Sequence, residues 1–221
     1  MNGVGRPARE GIVRTSSPSH VRSAPPAGRA AARVTLLVDA AWLRGCAAAD
    51  HERRTGTAVS PSRVNIDGPG ISRWLADAAL ELELPGVAAA RLDRPSRRVH
   101  DTPDADRRAR RRQRRYHGVL RAEGLVVTCE RRCSGALARS FGRDLVDLAR
   151  GGEVAAALLI AGDRAHTDAV IAARRHGVGV VLLVPPGAAE LVAEPLRHAA
   201  TRVVCLHPEV FETLHHVCDA E

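Results

Sequence analysis

The chain has 221 residues, with 33 Lys+Arg against 25 Asp+Glu, so it carries a net charge of +8. That length suits one domain plus a tail and allows a substantial core. The positive balance favours a polyanionic partner or an anionic surface. No apolar run is long enough to span a bilayer, and no secretory signal opens the chain, so a cytoplasmic protein with reduced thiols and no membrane partner is expected.

Residues 1–32 hold Pro, Gly, Ser, Ala and Arg without periodicity and read as a disordered tail. The domain is expected over 33–221. Val34 to Val38 is a short β-branched run and reads as a buried strand. A helix follows over 40–49, then a polar connection over 51–66. Ile71, Trp74, Leu75, Ala78 and Leu82 recur at helical spacing, and Pro85-Gly86 ends that helix. A strand is expected over 87–92, a loop over 93–106 and a densely basic helix over 107–120. Then come a strand over 125–128, a helix over 144–150 ended by Gly151-Gly152, and a strand over 156–160. A helix over 164–176, a strand over 178–184, a helix near 188–199, a strand over 203–206 and a helix from Pro208 complete the reading. Strands alternating with helices imply right-handed crossovers and a three-layer α/β/α sandwich around a mostly parallel sheet.

Three aspartates stand out in this frame. Asp39 closes the first strand, Asp163 follows the apolar strand at 156–160, and Asp144 stands nineteen residues before Asp163 at the head of a helix. Ligands of open α/β sheets bind at the carboxyl ends of the strands. Carboxylates meeting there repel unless a proton or a cation sits among them. Mg²⁺ or Mn²⁺ is a natural occupant, and its chemistry points to phosphodiesters. Taken singly, Asp39 or Asp163 is equally well explained as a helix cap.

Val38-Asp39-Ala40-Ala41-Trp42-Leu43 resembles the opening motif of NYN domains, members of the PIN-like nuclease superfamily. The stretch from Asp144 to Gly162-Asp163 is similar to that family's aspartate-led helix, glycine turn, apolar strand and Gly-Asp. The resemblance covers about residues 33–207. It implies a PIN-like fold and a metal-dependent ribonuclease, with Asp39, Asp144 and Asp163 as catalytic metal ligands for Mg²⁺ or Mn²⁺. Trp42 stands where the family has asparagine, and Ala138 and Ala165 stand where it has further aspartates. Asp168 and Asp147, one turn beyond Ala165 and Asp144, are candidate substitute ligands; otherwise they are solvated helix residues. Trp42 either stacks on a base or fills the space of a lost polar ligand. The same departures fit a catalytically impaired NYN-like module that binds RNA or regulates.

Arg107, Arg108, Arg110, Arg111, Arg112, Arg114 and Arg115 put seven arginines into nine residues. On a helix they cover more than one face. They read either as contacts to an RNA backbone or as a solvated face enlarged by a coding bias, since the chain has no lysine. Tyr116 and His117 could add stacking. Alanine-rich helix faces leave a homodimer open. Cys129-x₃-Cys133 and the Cys205, His207, His215, His216 and Cys218 set lack a standard zinc spacing, so buried thiols and surface imidazoles are the better account. His166 is expected to pack rather than react. No glycine-rich dinucleotide turn, Walker loop or nucleophile elbow is present.

Overall fold

The computed structural model describes residues 33–81, 96–103, 107–130, 135–152 and 154–218. The element order is β1 (Arg33–Asp39), α1 (Ala40–Thr55), β2 (Val64–Ile66), α2 (Gly68–Glu81), β3 (Ser96–Asp101), α3 (Arg107–Ala122), β4 (Val126–Cys129), α4 (Ala136–Arg150), β5 (Val154–Ile160), α5 (Thr167–Arg175), β6 (Gly179–Val184), α6 (Glu194–Ala199), β7 (Arg202–Cys205), α7 (Pro208–Glu212) and β8 (His215–Val217). Six strands form one sheet in the order β4-β3-β1-β5-β6-β7, and every pairing in it is parallel. β2 and β8 pair antiparallel as a separate ribbon.

The central strands are buried on both faces, as parallel strands between helical layers must be. Leu36, Leu37, Leu158 and Leu159 are all sealed from solvent. Each such leucine stabilises the fold by roughly 1.5–3 kcal/mol relative to an exposed one. Alternation along β3 separates the two layers. His100 meets Ser140 and Phe141 of α4, whereas the next residue, Asp101, meets Arg44 of α1 and His117 of α3. Helices α4 and α5 therefore lie on one face of the sheet, and α1 and α3 on the other. The α/β/α sandwich expected from the alternation of strands and helices is the observed architecture.

The boundaries differ in several places. Residues 96–101, expected as loop, form β3 between β1 and β4. The sequence Ser-Arg-Arg-Val-His-Asp lacks an apolar pattern because its polar groups are satisfied by neighbours: Arg98 by Asp144, and Asp101 by Arg44, Gln113 and His117. β2 and β8 lie in stretches read as a polar connection and a terminal helix. Each is three residues long and is held by the other rather than by its own pattern. α4 begins at Ala136, eight residues before Asp144. The expected helix near 188–199 is a 3₁₀ turn over Ala189–Leu191 followed by the six-residue α6. The tail over 1–32, the Pro85-Gly86 stop and the strand expected over 87–92 lie outside the described residues.

Candidate functional site

The chain leaves β1 and β5 in opposite directions along the sheet, towards β3 and β6 respectively. The carboxyl ends of β1 and β5 thus flank the topological switch point, where open α/β sheets bind ligands. Asp39 is the last residue of β1, and Gly162-Asp163 follows β5.

Asp39 is buried, and both of its carboxylate oxygens are engaged. Oδ1 accepts the Trp42 backbone N–H at 3.0 Å, which caps α1, and Oδ2 lies 3.2 Å from His166 Nε2. His166 is itself sealed, with its ring centroid 4.3 Å from that of Phe141. Phe141 in turn lies against His100, centroid to centroid 5.2 Å. His100 is the cross-strand partner of Asp39, so both side chains face the same layer. Its Nε2 is 3.4 Å from Asp144 Oδ2 without hydrogen-bonding geometry, and its Nδ1 is 3.4 Å from Ser140 Oγ. Burial pushes the His100 pKa down and keeps the ring neutral, against the pull of Asp144. Asp144 also accepts a hydrogen bond from Arg98 at 3.0 Å.

A continuous string of contacts thus runs Asp39–His166–Phe141–His100–Asp144–Arg98, buried from Asp39 to His100 and half-buried at Asp144 and Arg98. Two of the sequence-predicted aspartates, Asp39 at one end and Asp144 beside Arg98, are separated along it by His166, Phe141 and His100. The third, Asp163, is exposed, and its Oδ1 accepts the Ala165 backbone N–H at 2.8 Å, capping a 3₁₀ turn that leads into α5. Capping, the alternative open at each strand end, describes a use of both Asp39 and Asp163.

Trp42 lies over Gly162. A Cβ on Gly162 would collide with the indole ring. The tryptophan therefore fills the crevice between the ends of β1 and β5, a packing role. The open groove nearby lies to one side, with a volume of about 640 Å³, and is bordered by Asp163, Arg164, Glu190, Glu194 and Arg197. Neither Asp39 nor Asp144 borders it. Asp147 and Asp168 are exposed on α4 and α5, and Asp168 sits in the first turn of α5, where a negative charge suits the helix dipole.

A shared Mg²⁺ or Mn²⁺ needs several hard oxygens directed at one point. Among the described residues no three His, Cys, Asp or Glu side chains are grouped so as to hold a metal ion. Asp39 is committed to a histidine and a helix cap, and Asp144 to an arginine. In this arrangement the donor set does not fit such an ion.

From the sequence, Asp101 is one of the acidic residues that favour the N-terminus of the arginine helix; the structure makes it a buried hub instead. Asp101, at the end of β3, is fully enclosed and accepts hydrogen bonds from Arg44, Gln113 Nε2 (2.8 Å), His117 Nε2 (2.9 Å) and the Thr102 backbone N–H (2.8 Å). These partners hold its carboxyl well below the usual range despite the opposing effect of burial. The hub anchors the inner face of α3. Tyr116 belongs to the same inner face: its hydroxyl donates to the Ile66 carbonyl and accepts from the Ile66 N–H, both at 2.7 Å. Tyr116 and His117 are therefore turned inward, and the stacking role expected of them is not available.

The outer face of α3 is the opposite of the acidic end. All seven of its predicted arginines are exposed. Arg107, Arg108, Arg111, Arg112, Arg114 and Arg115 form no ion pair among the described residues. No family model, curated protein or solved structure matches the chain.

Proposed function

We propose that this protein is an NYN-like nucleic-acid-binding module, with RNA as the polyanion that its sequence resemblance favours, and that it binds without hydrolysing. The observation that carries the reading is the charge of six exposed α3 arginines, Arg107, Arg108, Arg111, Arg112, Arg114 and Arg115, which form no ion pair among the described residues. Arg107/Arg111, Arg108/Arg112 and Arg111/Arg115 are like-charge pairs one turn apart. Each such pair destabilises a helix by about 0.2–0.5 kcal/mol. A phosphate backbone laid along the helix relieves that repulsion and releases counterions. With Tyr116 and His117 turned inward, the contacts fall on phosphates rather than bases, so binding is sequence-tolerant and steeply salt-dependent.

One observation favours a metal-dependent ribonuclease as the second reading. Asp163 is solvent-exposed on the rim of the groove, at the same edge of the sheet as Asp39. That activity requires His166 to release Asp39 and Arg98 to release Asp144. The deciding experiment measures fluorescence anisotropy of a labelled RNA with the full chain, followed by incubation of the same complex in Mn²⁺. Saturable binding that weakens with salt, with the RNA left intact, supports the binding module. Cleavage by the wild type that is lost in Asp163→Asn establishes the ribonuclease instead.

A further inference from the structure

Away from the strand ends, the β2–β8 ribbon brings together three side chains that the binding reading does not use. His216 and Cys218 are two residues apart on β8 and its extension, so they share one face. Asn65 of β2 is the direct cross-strand partner of His216. Its Nδ2 lies 3.0 Å from Cys218 Sγ and 3.4 Å from His216 Nε2. His215 faces the other way, with Nδ1 2.9 Å from the Phe211 carbonyl.

The position of Cys218 is fixed by backbone and side chain alike. Its N–H donates to the Arg63 carbonyl at 2.8 Å, and its carbonyl accepts from Arg63 Nε at 3.1 Å and from a terminal guanidinium nitrogen at 2.6 Å. The cluster is accessible: His216 is exposed, and Asn65 and Cys218 are half-buried. An amide can be turned over with little change in shape, which exchanges its NH₂ for its carbonyl oxygen. Turned over, Asn65 presents Oδ1 between an imidazole nitrogen and a sulfur.

We propose that His216 Nε2, Cys218 Sγ and Asn65 Oδ1 bind a thiophilic d¹⁰ divalent cation, of which Zn²⁺ is the biological member. Neutral imidazole and thiolate are the donors this class prefers, and water completes a tetrahedral site. The metal–sulfur bond forms as the thiol proton leaves to solvent, so binding releases a proton. The site ties β2 to β8 and therefore secures the end of the chain to the body of the fold.

The test is a calorimetric titration of Zn²⁺, with Cd²⁺ followed by its thiolate charge-transfer absorption, into the reduced full chain carrying Cys129→Ser, Cys133→Ser and Cys205→Ser. One ion per chain is expected, weakened at least about tenfold by Cys218→Ser or His216→Ala. Asn65→Asp supplies a charged oxygen in place of the amide and is expected to tighten binding while the apo melting temperature stays put. Absence of saturable one-to-one binding, binding that survives Cys218→Ser, or no gain from Asn65→Asp overturns the proposal. None of these outcomes depends on nucleic-acid binding.

Discussion

The acidic end of the sheet and the outer face of α3 carry opposite charges and treat them in opposite ways. Asp39, Asp144 and Asp101 are drawn inward, and histidines, arginines and backbone N–H groups take up their oxygens. Six arginines of α3, Arg107, Arg108, Arg111, Arg112, Arg114 and Arg115, are left exposed on the surface with no ion pair among the described residues. Residues that look catalytic in sequence are thus used in holding layers together. Residues that look like compositional excess remain available for a partner. A buried carboxylate with its oxygens satisfied is stable because leaving it unpaired costs several kcal/mol, whereas an exposed arginine is solvated and costs only mutual repulsion.

The largest expected effect lies on the open side of this comparison. If six or more α3 arginines contact phosphate, affinity for RNA falls by about 10³-fold or more between 50 and 200 mM salt. Changing Arg111, Arg112, Arg114 and Arg115 to Gln is expected to flatten that dependence by about 0.7–0.9 in log–log slope for each lost contact. An unchanged slope in the variant removes α3 from the interface. Tyr116→Phe sharpens the same point, because an inward-facing ring predicts unaltered RNA affinity.

Next is the hub on the closed side. Asp101→Ala strands Arg44 and His117 in the interior, and breaking a buried charge pair in this way costs about 3–5 kcal/mol. The pH dependence carries a sign. The folded-state pKa of Asp101 lies below its unfolded value of about 3.9, so its stabilisation is complete above that pH and is lost as pH falls further. Asp101→Asn is therefore expected to lose part of the acid limb of a urea-midpoint-versus-pH curve. His100 adds a second acid-side loss: its depressed pKa means that stability declines as pH drops below its unfolded value of about 6.5. A wild-type curve flat from pH 7 to pH 4 contradicts the buried neutral assignment of His100.

The sheet was legible where strands are apolar and illegible where they are not. Leu36, Leu37 and the Ala156–Ile160 run announce β1 and β5 because both faces of those strands are buried. β3 is hidden because its burial is achieved by pairing Arg98, His100 and Asp101 with residues distant in sequence, and such partners leave no local signature. For that reason Asp101 reads in sequence as a helix-dipole residue before α3 rather than as a strand end. Had Ser96–Asp101 been read as a strand, Asp101 would have stood at its carboxyl end as Asp39 does on β1. The inward stripe of α3 did leave a signal: Gln113, Tyr116, His117 and Leu120 recur at helical spacing but are masked by the arginines between them. Strand ends fix the edge of the sheet at which the aspartates lie but not the direction of a side chain. Trp42 occupies the intervening crevice, as its bulk at that position allowed.

The smallest effects test the aspartates themselves. Asp39→Ala removes a helix cap and the partner of buried His166. Loss of the cap alone is worth about 1 kcal/mol, and the orphaned imidazole adds to it. Asp163→Asn keeps an equally good cap in an exposed position, so its stability is expected to stay within about 0.5 kcal/mol of wild type. The two variants therefore differ in stability, and under the binding reading they agree in chemistry: neither alters a melting temperature shift on adding Mn²⁺, because the wild type shows none. A wild-type protein stabilised by millimolar Mn²⁺, with that gain abolished by Asp163→Asn, breaks the agreement. It means that Asp163 takes part in an ion site that forms only when Arg98 and His166 let go of their carboxylates.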